Sequence, residues 1–373
     1  MDGAGWSGVA FVAGFLLLIV GAELLVQSAS RIAAVAGVAP IVIGLTIVAY
    51  GTSAPEAAVS VRAVTLDPPR PDIAVGNVVG SNIANILLVL GIGAALAPVR
   101  VHRAVMRWNF PAVIGVSALT WLMALDGNIQ PREGLVLLVG SLAYTAAMVI
   151  YGKVTGGPEA DTAPLAHPRP HWSPRWQATF DLVLIFAGLV LMVLGADWMV
   201  DGASKLARMV GVSELVISLS IVAVGTSLPE IATTAVATLR GRRDIAVGNA
   251  IGSNLFNLLL VLGLAAVVAP QGIPISGPAQ RFDFPIMFAV VVVCWFTAAT
   301  GSMLSRFEGV AFLATFGAYV LLRYGYDLQH VSDKLSLRVP TWSITPALSL
   351  APVILLVAGT RAIRRRHQHD EEP

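Results

Sequence analysis

Two glutamates, Glu56 and Glu230, lie in two copies of one hexapeptide, GTSAPE at 51–56 and GTSLPE at 225–230. Each copy sits inside an apolar run long enough to cross a bilayer. An ionisable group at that depth is costly, and its default meaning is a functional site. Neutral oxygens gather around both carboxylates. Thr52, Ser53 and Glu56 fall on one helical face, as do Thr226, Ser227 and Glu230. A second duplicated motif, GNVVGSNIAN at 76–85 and GNAIGSNLFN at 248–257, sets Ser81 four residues from Asn85 and Ser253 four from Asn257. Each pair therefore projects from one side of its helix. Pro55 and Pro229 remove a donor and clash with the carbonyls of Gly51 and Gly225, four residues back. With glycine beside the clash, both helices are expected to break there and free carbonyls over 49–52 and 223–226. The pooled set is two carboxylates, hydroxyls, amide oxygens and backbone carbonyls. Such an all-oxygen set suits hard cations, Ca²⁺ above all and Na⁺, and two carboxylates balance one divalent charge. It contains no histidine or cysteine, which argues against zinc, copper or iron.

The elements that must hold these groups repeat as well. Aligned at an offset of 174, the halves pair Gly21-Ala22-Glu23 with Gly195-Ala196-Asp197 and Gly37-Val38 with Gly211-Val212. After a two-residue deletion, Asp72–Gly91 matches Asp244–Gly263 at 15 of 20 positions. Apolar spans fall at 8–28, 38–64, 72–97, 104–124, 131–151, 179–204, 211–239, 244–268, 282–300, 305–325 and 341–362. The expected fold is an all-α polytopic membrane protein of two five-helix repeats with an eleventh C-terminal helix packed outside them. An odd number of helices per repeat makes the second copy enter from the opposite side, giving inverted repeats. The halves are 1–151 and 178–325. A Pro-, His- and Gly-rich linker at 152–177 joins them, and 326–373 holds a polar loop, the extra helix and a charged tail. Within the repeats, Gly76 and Gly80, like Gly248 and Gly252, form the GxxxG spacing that lets helices approach closely. Asp72 and Asp244 are expected to cap their helices.

Composition narrows the function classes. The chain is 56% apolar and 12% charged with a net charge of +2, which fits a membrane protein and gives no reason to expect a nucleic-acid partner. No obligate protein partner is evident either. Cys294 is the single cysteine, so there is neither a disulfide framework nor a thiolate metal site. No nucleophile–base pair or nucleotide motif appears, so an enzyme is not expected, and neither is a resident cofactor. With the N-terminus outside, 15 of the 24 Lys and Arg residues face inward, including the Arg240–Arg243 and Arg361–Arg366 clusters. The positive-inside rule then places the linker and the C-terminus inside.

The paired GTSxPE and GSNxxN motifs resemble the two alpha-repeats of the sodium/calcium exchanger family, in the calcium/cation antiporter superfamily, and the likeness covers 8–325. The short linker and chain resemble prokaryotic members, which implies the inner or plasma membrane. The resemblance implies a ten-helix core in two inverted halves, with ion sites among the second, third, seventh and eighth helices. It also implies alternating access, with the first and sixth helices sliding past the rest. Carried over by position, Glu56 and Glu230 with the Thr52 and Thr226 carbonyls would hold Ca²⁺. An outer Na⁺ would take the Ala223 carbonyl, Thr226, Ser227, Glu230 and Ser253. An inner one would take the Ala49 carbonyl, Thr52, Ser53, Glu56 and Ser81, with Asn85 and Asn257 completing the middle. Some relatives carry Asp where this chain has Asn257.

The leading expectation is a secondary antiporter exchanging Na⁺ for Ca²⁺ across the lipid bilayer. A proton-coupled Ca²⁺ antiporter is the alternative within transport, and a cation channel with a carboxylate ring is the alternative outside it. Glu23 and Asp197 are read as interfacial acids pairing with Arg31 or Lys205, and as ion recruiters only in the second place.

Overall fold

The computed structural model describes residues 3–155, 173–209, 223–299 and 302–334, and these are almost wholly helical. The first long helices are α1 (Gly3–Ala36), α2 (Pro40–Thr65), α3 (Pro71–Leu96), α4 (Val105–Asp126) and α5 (Pro131–Thr155). The second half supplies α6 (Pro174–Met209), α7 (segments Ala223–Gly225 and Leu228–Leu239), α8 (Arg243–Val268), α9 (Ala279–Ala299) and α10 (Arg306–Lys334). The start of the seventh expected span (211–222) and the eleventh helix at 341–362 with its tail lie outside the described residues.

Local sequence explains many of the boundaries. Proline opens α2, α3, α5 and α6, where its missing N–H has no intrahelical partner to lose. Gly37 at φ +65° ends α1, and Gly241 at φ +72° ends α7. In both cases the next residue's N–H returns to a carbonyl five positions back, Val38 to Ala33 at 3.0 Å and Arg242 to Ala237 at 2.7 Å. That closure requires the left-handed conformation that favours glycine. Two expectations need correcting. Asp72 and Asp244 lie inside the first turns of α3 and α8, and the capping positions are Arg70 and Arg242 with no side-chain cap bond. The linker is also shorter than 152–177, because α5 runs to Thr155 and α6 begins at Pro174.

α1 and α6 contain 34 and 36 residues, roughly 50 Å each at ~1.5 Å per residue. Both exceed a hydrocarbon core of about 30 Å and are long enough to span it with some tilt. The apolar window of α1 ended early in the sequence because Arg31 interrupts it, whereas Asp181 lies inside the window of α6. The fold joins those two charges at 2.7 Å, and Arg31 also donates to Ser28.

The helices are arranged as an inverted repeat. β1 (Val99–Arg100) pairs with β4 (Met303–Leu304), and β2 (Asn128–Ile129) pairs with β3 (Ile273–Pro274), both antiparallel. Each ribbon takes one strand from each half. Six helices separate β1 from β4 and four separate β2 from β3, so the partners share a side and the ribbons cap opposite ends. Exchanging the halves exchanges the ribbons, as a two-fold axis in the membrane plane requires.

α3 and α8 form the buried centre, packed with the inner faces of α2, α4, α5, α9 and α10. α8 lies directly on the first part of α2. A Cβ at Gly248 would meet the Ile41 carbonyl at 2.9 Å, and one at Gly252 would meet Ala49 Cβ at 2.7 Å. α1 and α6 lie antiparallel with their backbones touching. A Cβ on Gly14 would come within 2.6 Å of the Gly195 carbonyl, and one on Gly21 within 2.6 Å of the Gly188 carbonyl.

Candidate functional site

Both GTSxPE motifs interrupt their helices. In α2 the break is at Ser53 (φ −82°, ψ 0°), and a new helix starts at Ala54. In α7 residues 226–227 form a turn, and the new helix starts at Leu228. Pro55 and Pro229 are thus second residues of new helices, where the absent N–H costs nothing. The same placement sets Glu56 and Glu230 in the first turn of those helices, where the helix dipole favours an anion. The two breaks differ by one carbonyl. Ser53 N–H donates to Ala49 at 3.0 Å, whereas Ser227 N–H donates to Val224 at 3.1 Å. The Ala49 carbonyl accepts from Ser53 N–H and lies 3.4 Å from Thr52 Oγ1.

The facing wall is helical but under-wound. A π-helical turn begins at Asn85 in α3 and another at Asn257 in α8, and such bulges concentrate at functional sites. Both asparagines accordingly sit where each central helix widens.

Together these elements enclose a buried polar chamber. Thr52, Ser53, Glu56, Glu230, Ser253 and Asn257 have no exposed surface, and Ser81, Asn85 and Ser227 have almost none. Ala49 is likewise buried and Thr226 is half-buried. Ala223 contributes backbone only, since its side chain lies outside the described set. Both carboxylate oxygens of Glu56 and of Glu230, both amide atoms of Asn85 and of Asn257, and Ser53 Oγ have no protein hydrogen-bond partner. Buried polar groups are normally satisfied, and a concentration of unsatisfied ones in one chamber marks a place for a polar guest. The hydroxyl contacts cross between the halves: Thr52 Oγ1 lies 3.3 Å from Ser253 Oγ, and Ser227 Oγ donates to Ser81 Oγ at 3.5 Å.

Two further polar residues belong to this wall and were missed in the sequence. Asn77 donates to the Glu56 carbonyl at 3.0 Å and to Ser60 Oγ at 2.9 Å. Asn249 donates to the Glu230 carbonyl and to Thr234 Oγ1. The signal was present, because Asn77, Ser81 and Asn85 are spaced by four, as are Asn249, Ser253 and Asn257.

The halves are not in equivalent positions. α1 packs along the second segment of α7 and buries Ala232, Thr233 and Val236. Their equivalents on α2, Ala58, Val59 and Arg62, are exposed. At the far end of the covered face Arg240 grips Glu23 with two bonds of 2.9 Å, and Gln27 donates to the same carboxylate. Glu23 is thus an interfacial ion-pair acid, but its partner is neither Arg31 nor Lys205. Arg31 pairs with Asp181 and Lys205 with Asp201.

The model of the sodium/calcium exchanger protein family matches residues 6–150 and 180–325. CaxA of Alkalimonas amylolytica is 39% identical over 313 residues, 83% of this chain and 96% of that one. The sodium/calcium exchanger MaX1 of Methanosarcina acetivorans is 28% identical over 344 residues, 83% of this chain and 96% of that one. A solved structure of the sodium-calcium exchanger NCX_Mj superposes with a TM-score of 0.70 at 29% identity, covering 84% of this chain and 97% of that one. Matched motifs, a ten-helix inverted repeat and a match spanning both halves place this integral membrane protein in the sodium/calcium exchanger family.

Proposed function

We propose that the chain is a secondary active antiporter that exchanges Na⁺ for Ca²⁺ by alternating access. The observation that carries this reading is the pair Glu56 and Glu230, one from each half, fully buried and with carboxylate oxygens that lack hydrogen-bond partners. A divalent ion between them balances their two charges and replaces its own water with protein oxygen. The Thr52 and Thr226 carbonyls complete that position. Na⁺ takes the flanking oxygens: the Ala49 carbonyl, Thr52, Ser53, Glu56 and Ser81 on one side, and the Ala223 carbonyl, Thr226, Ser227, Glu230 and Ser253 on the other. Asn85 and Asn257 close the middle. Both ions need the same two carboxylates, so bound Na⁺ and bound Ca²⁺ exclude each other, which is the requirement for exchange.

Unequal cover of the two halves supports alternating access. With the N-terminus outside, α1 and the Glu23–Arg240 pair seal the inner route along α7, while the equivalent face of α2 stays open to the outer side. The opposite state follows if α1 and α6 slide together, their backbones locked at the glycine contacts, until α6 covers α2. Purified protein in proteoliposomes tests the reading. An outward Na⁺ gradient at equal pH drives Ca²⁺ uptake if it holds. Uptake that ignores Na⁺ and follows an imposed pH gradient replaces it with proton coupling, and flux without any counter-ion would indicate a channel.

A further inference from the structure

Asn249 is fully buried, and both ends of its amide are engaged. The nitrogen donates to the Glu230 carbonyl at 3.4 Å and to Thr234 Oγ1 at 3.3 Å. A carbonyl can only accept, so the nitrogen must face Glu230 and the oxygen must face Thr52. Thr52 Oγ1 lies 3.1 Å from that oxygen and also reaches the Glu230 carboxyl group, with Ser253 Oγ at 3.3 Å and the Ala49 carbonyl at 3.4 Å as its longer contacts. A hydroxyl that ligates a cation must turn a lone pair toward the ion and send its proton elsewhere. Asn249 receives that proton, and it does so from the opposite half of the molecule.

We infer that Asn249 is a positioning residue, which accepts the Thr52 hydroxyl proton so that the Thr52 lone pairs face the cation. The inference rests on the exchange reading above. Asn77 reproduces only part of the arrangement, bonding the Glu56 carbonyl and Ser60. Among the described residues no bond joins it to Thr226. In this conformation the Thr52 hydroxyl is set and that of Thr226 is not. In the proposed sites Na⁺ uses the Thr52 hydroxyl whereas Ca²⁺ uses its carbonyl, so losing Asn249 falls first on Na⁺.

The test is a two-residue cycle in proteoliposomes: wild type, Asn249→Ala, Thr52→Val and the double variant, each monodisperse after purification. Half-saturating Na⁺ and the KM for Ca²⁺ are read separately. Asn249→Ala is expected to raise half-saturating Na⁺ about tenfold, the scale of one oriented hydrogen bond, with the Ca²⁺ KM within about twofold. Added to Thr52→Val, it should change Na⁺ dependence by less than about twofold, because there is no hydroxyl left to orient. If the alanine variant does not fold, Asn249→Leu, closer in volume, takes its place. Unchanged Na⁺ dependence, a parallel loss for both ions, or independent effects in the double variant would overturn the inference while leaving exchange intact. Wild-type uptake indifferent to Na⁺ would overturn the exchange reading, and this inference with it.

Discussion

Replacing Glu56 with glutamine keeps the side chain's shape and removes one unit of charge. Both oxygens are buried without a protein partner, so in the proposed site only the cation answers that charge. At a Ca–O distance of about 2.4 Å and an effective dielectric of about 20, one carboxylate attracts a divalent ion by about 14 kcal/mol before any cost. Desolvation of the ion and the carboxylate cancels most of this. Removing one partner of a buried ion pair leaves a net loss of about 3–5 kcal/mol, or roughly two to three and a half powers of ten in affinity. The empty protein should not suffer, because glutamine keeps the side chain's shape while removing a buried ionisable group. The assay is thermal unfolding across a Ca²⁺ titration, paired with transport. Wild-type Tm should climb with ligand, following RT ln(1 + [L]/Kd). Glu56→Gln and Glu230→Gln should start at an equal or higher Tm, stay flat where wild type saturates, and carry no Ca²⁺ flux. Near-wild-type flux, or an ordinary Ca²⁺-dependent rise in Tm, would refute the two-carboxylate site.

Ser81→Ala and Ser253→Ala should weaken Na⁺ dependence more than Ca²⁺ binding, because the proposed Ca²⁺ position uses neither hydroxyl; the two half-saturation constants in flux assays decide it. Arg240→Ala removes the Glu23 pair from an exposed site, a contribution of at most about 1 kcal/mol. It should modestly increase inner-side labelling of a Val236→Cys reporter without abolishing exchange. Gly195→Ala would drive a methyl to 2.7 Å from the Gly14 carbonyl and Leu18 nitrogen, so α1 and α6 must separate. A loss of about 1–3 kcal/mol is expected, read as lower thermal stability in detergent.

The fold was legible because the chain states its plan twice. Duplicate motifs, an odd helix count per repeat and apolar windows led to the inverted repeat, and the proline–glycine pairs led to both helix breaks. The helix limits were less legible, since the window of α1 stops short of Arg31 and cannot foresee that the fold pairs it with Asp181. The caps failed for a related reason. An acidic residue in a first turn satisfies the dipole as well as a cap does, and sequence does not separate the two. The π-turns at Asn85 and Asn257 have no local sequence signature. The Glu23–Arg240 pair spans 217 positions and belongs to one arrangement of α1 against α7. Asn77 and Asn249 were within reach, one turn before serines already singled out.

The most direct measurement is the position of the ion itself. Crystals of the purified protein soaked in Ca²⁺, or in Sr²⁺ as a stronger anomalous scatterer, give the location of a divalent cation without reference to transport. A single anomalous peak between the Glu56 and Glu230 carboxylates, lost in Glu56→Gln, is the predicted result. A peak elsewhere, with the two carboxylates empty at saturating ion, would contradict the account.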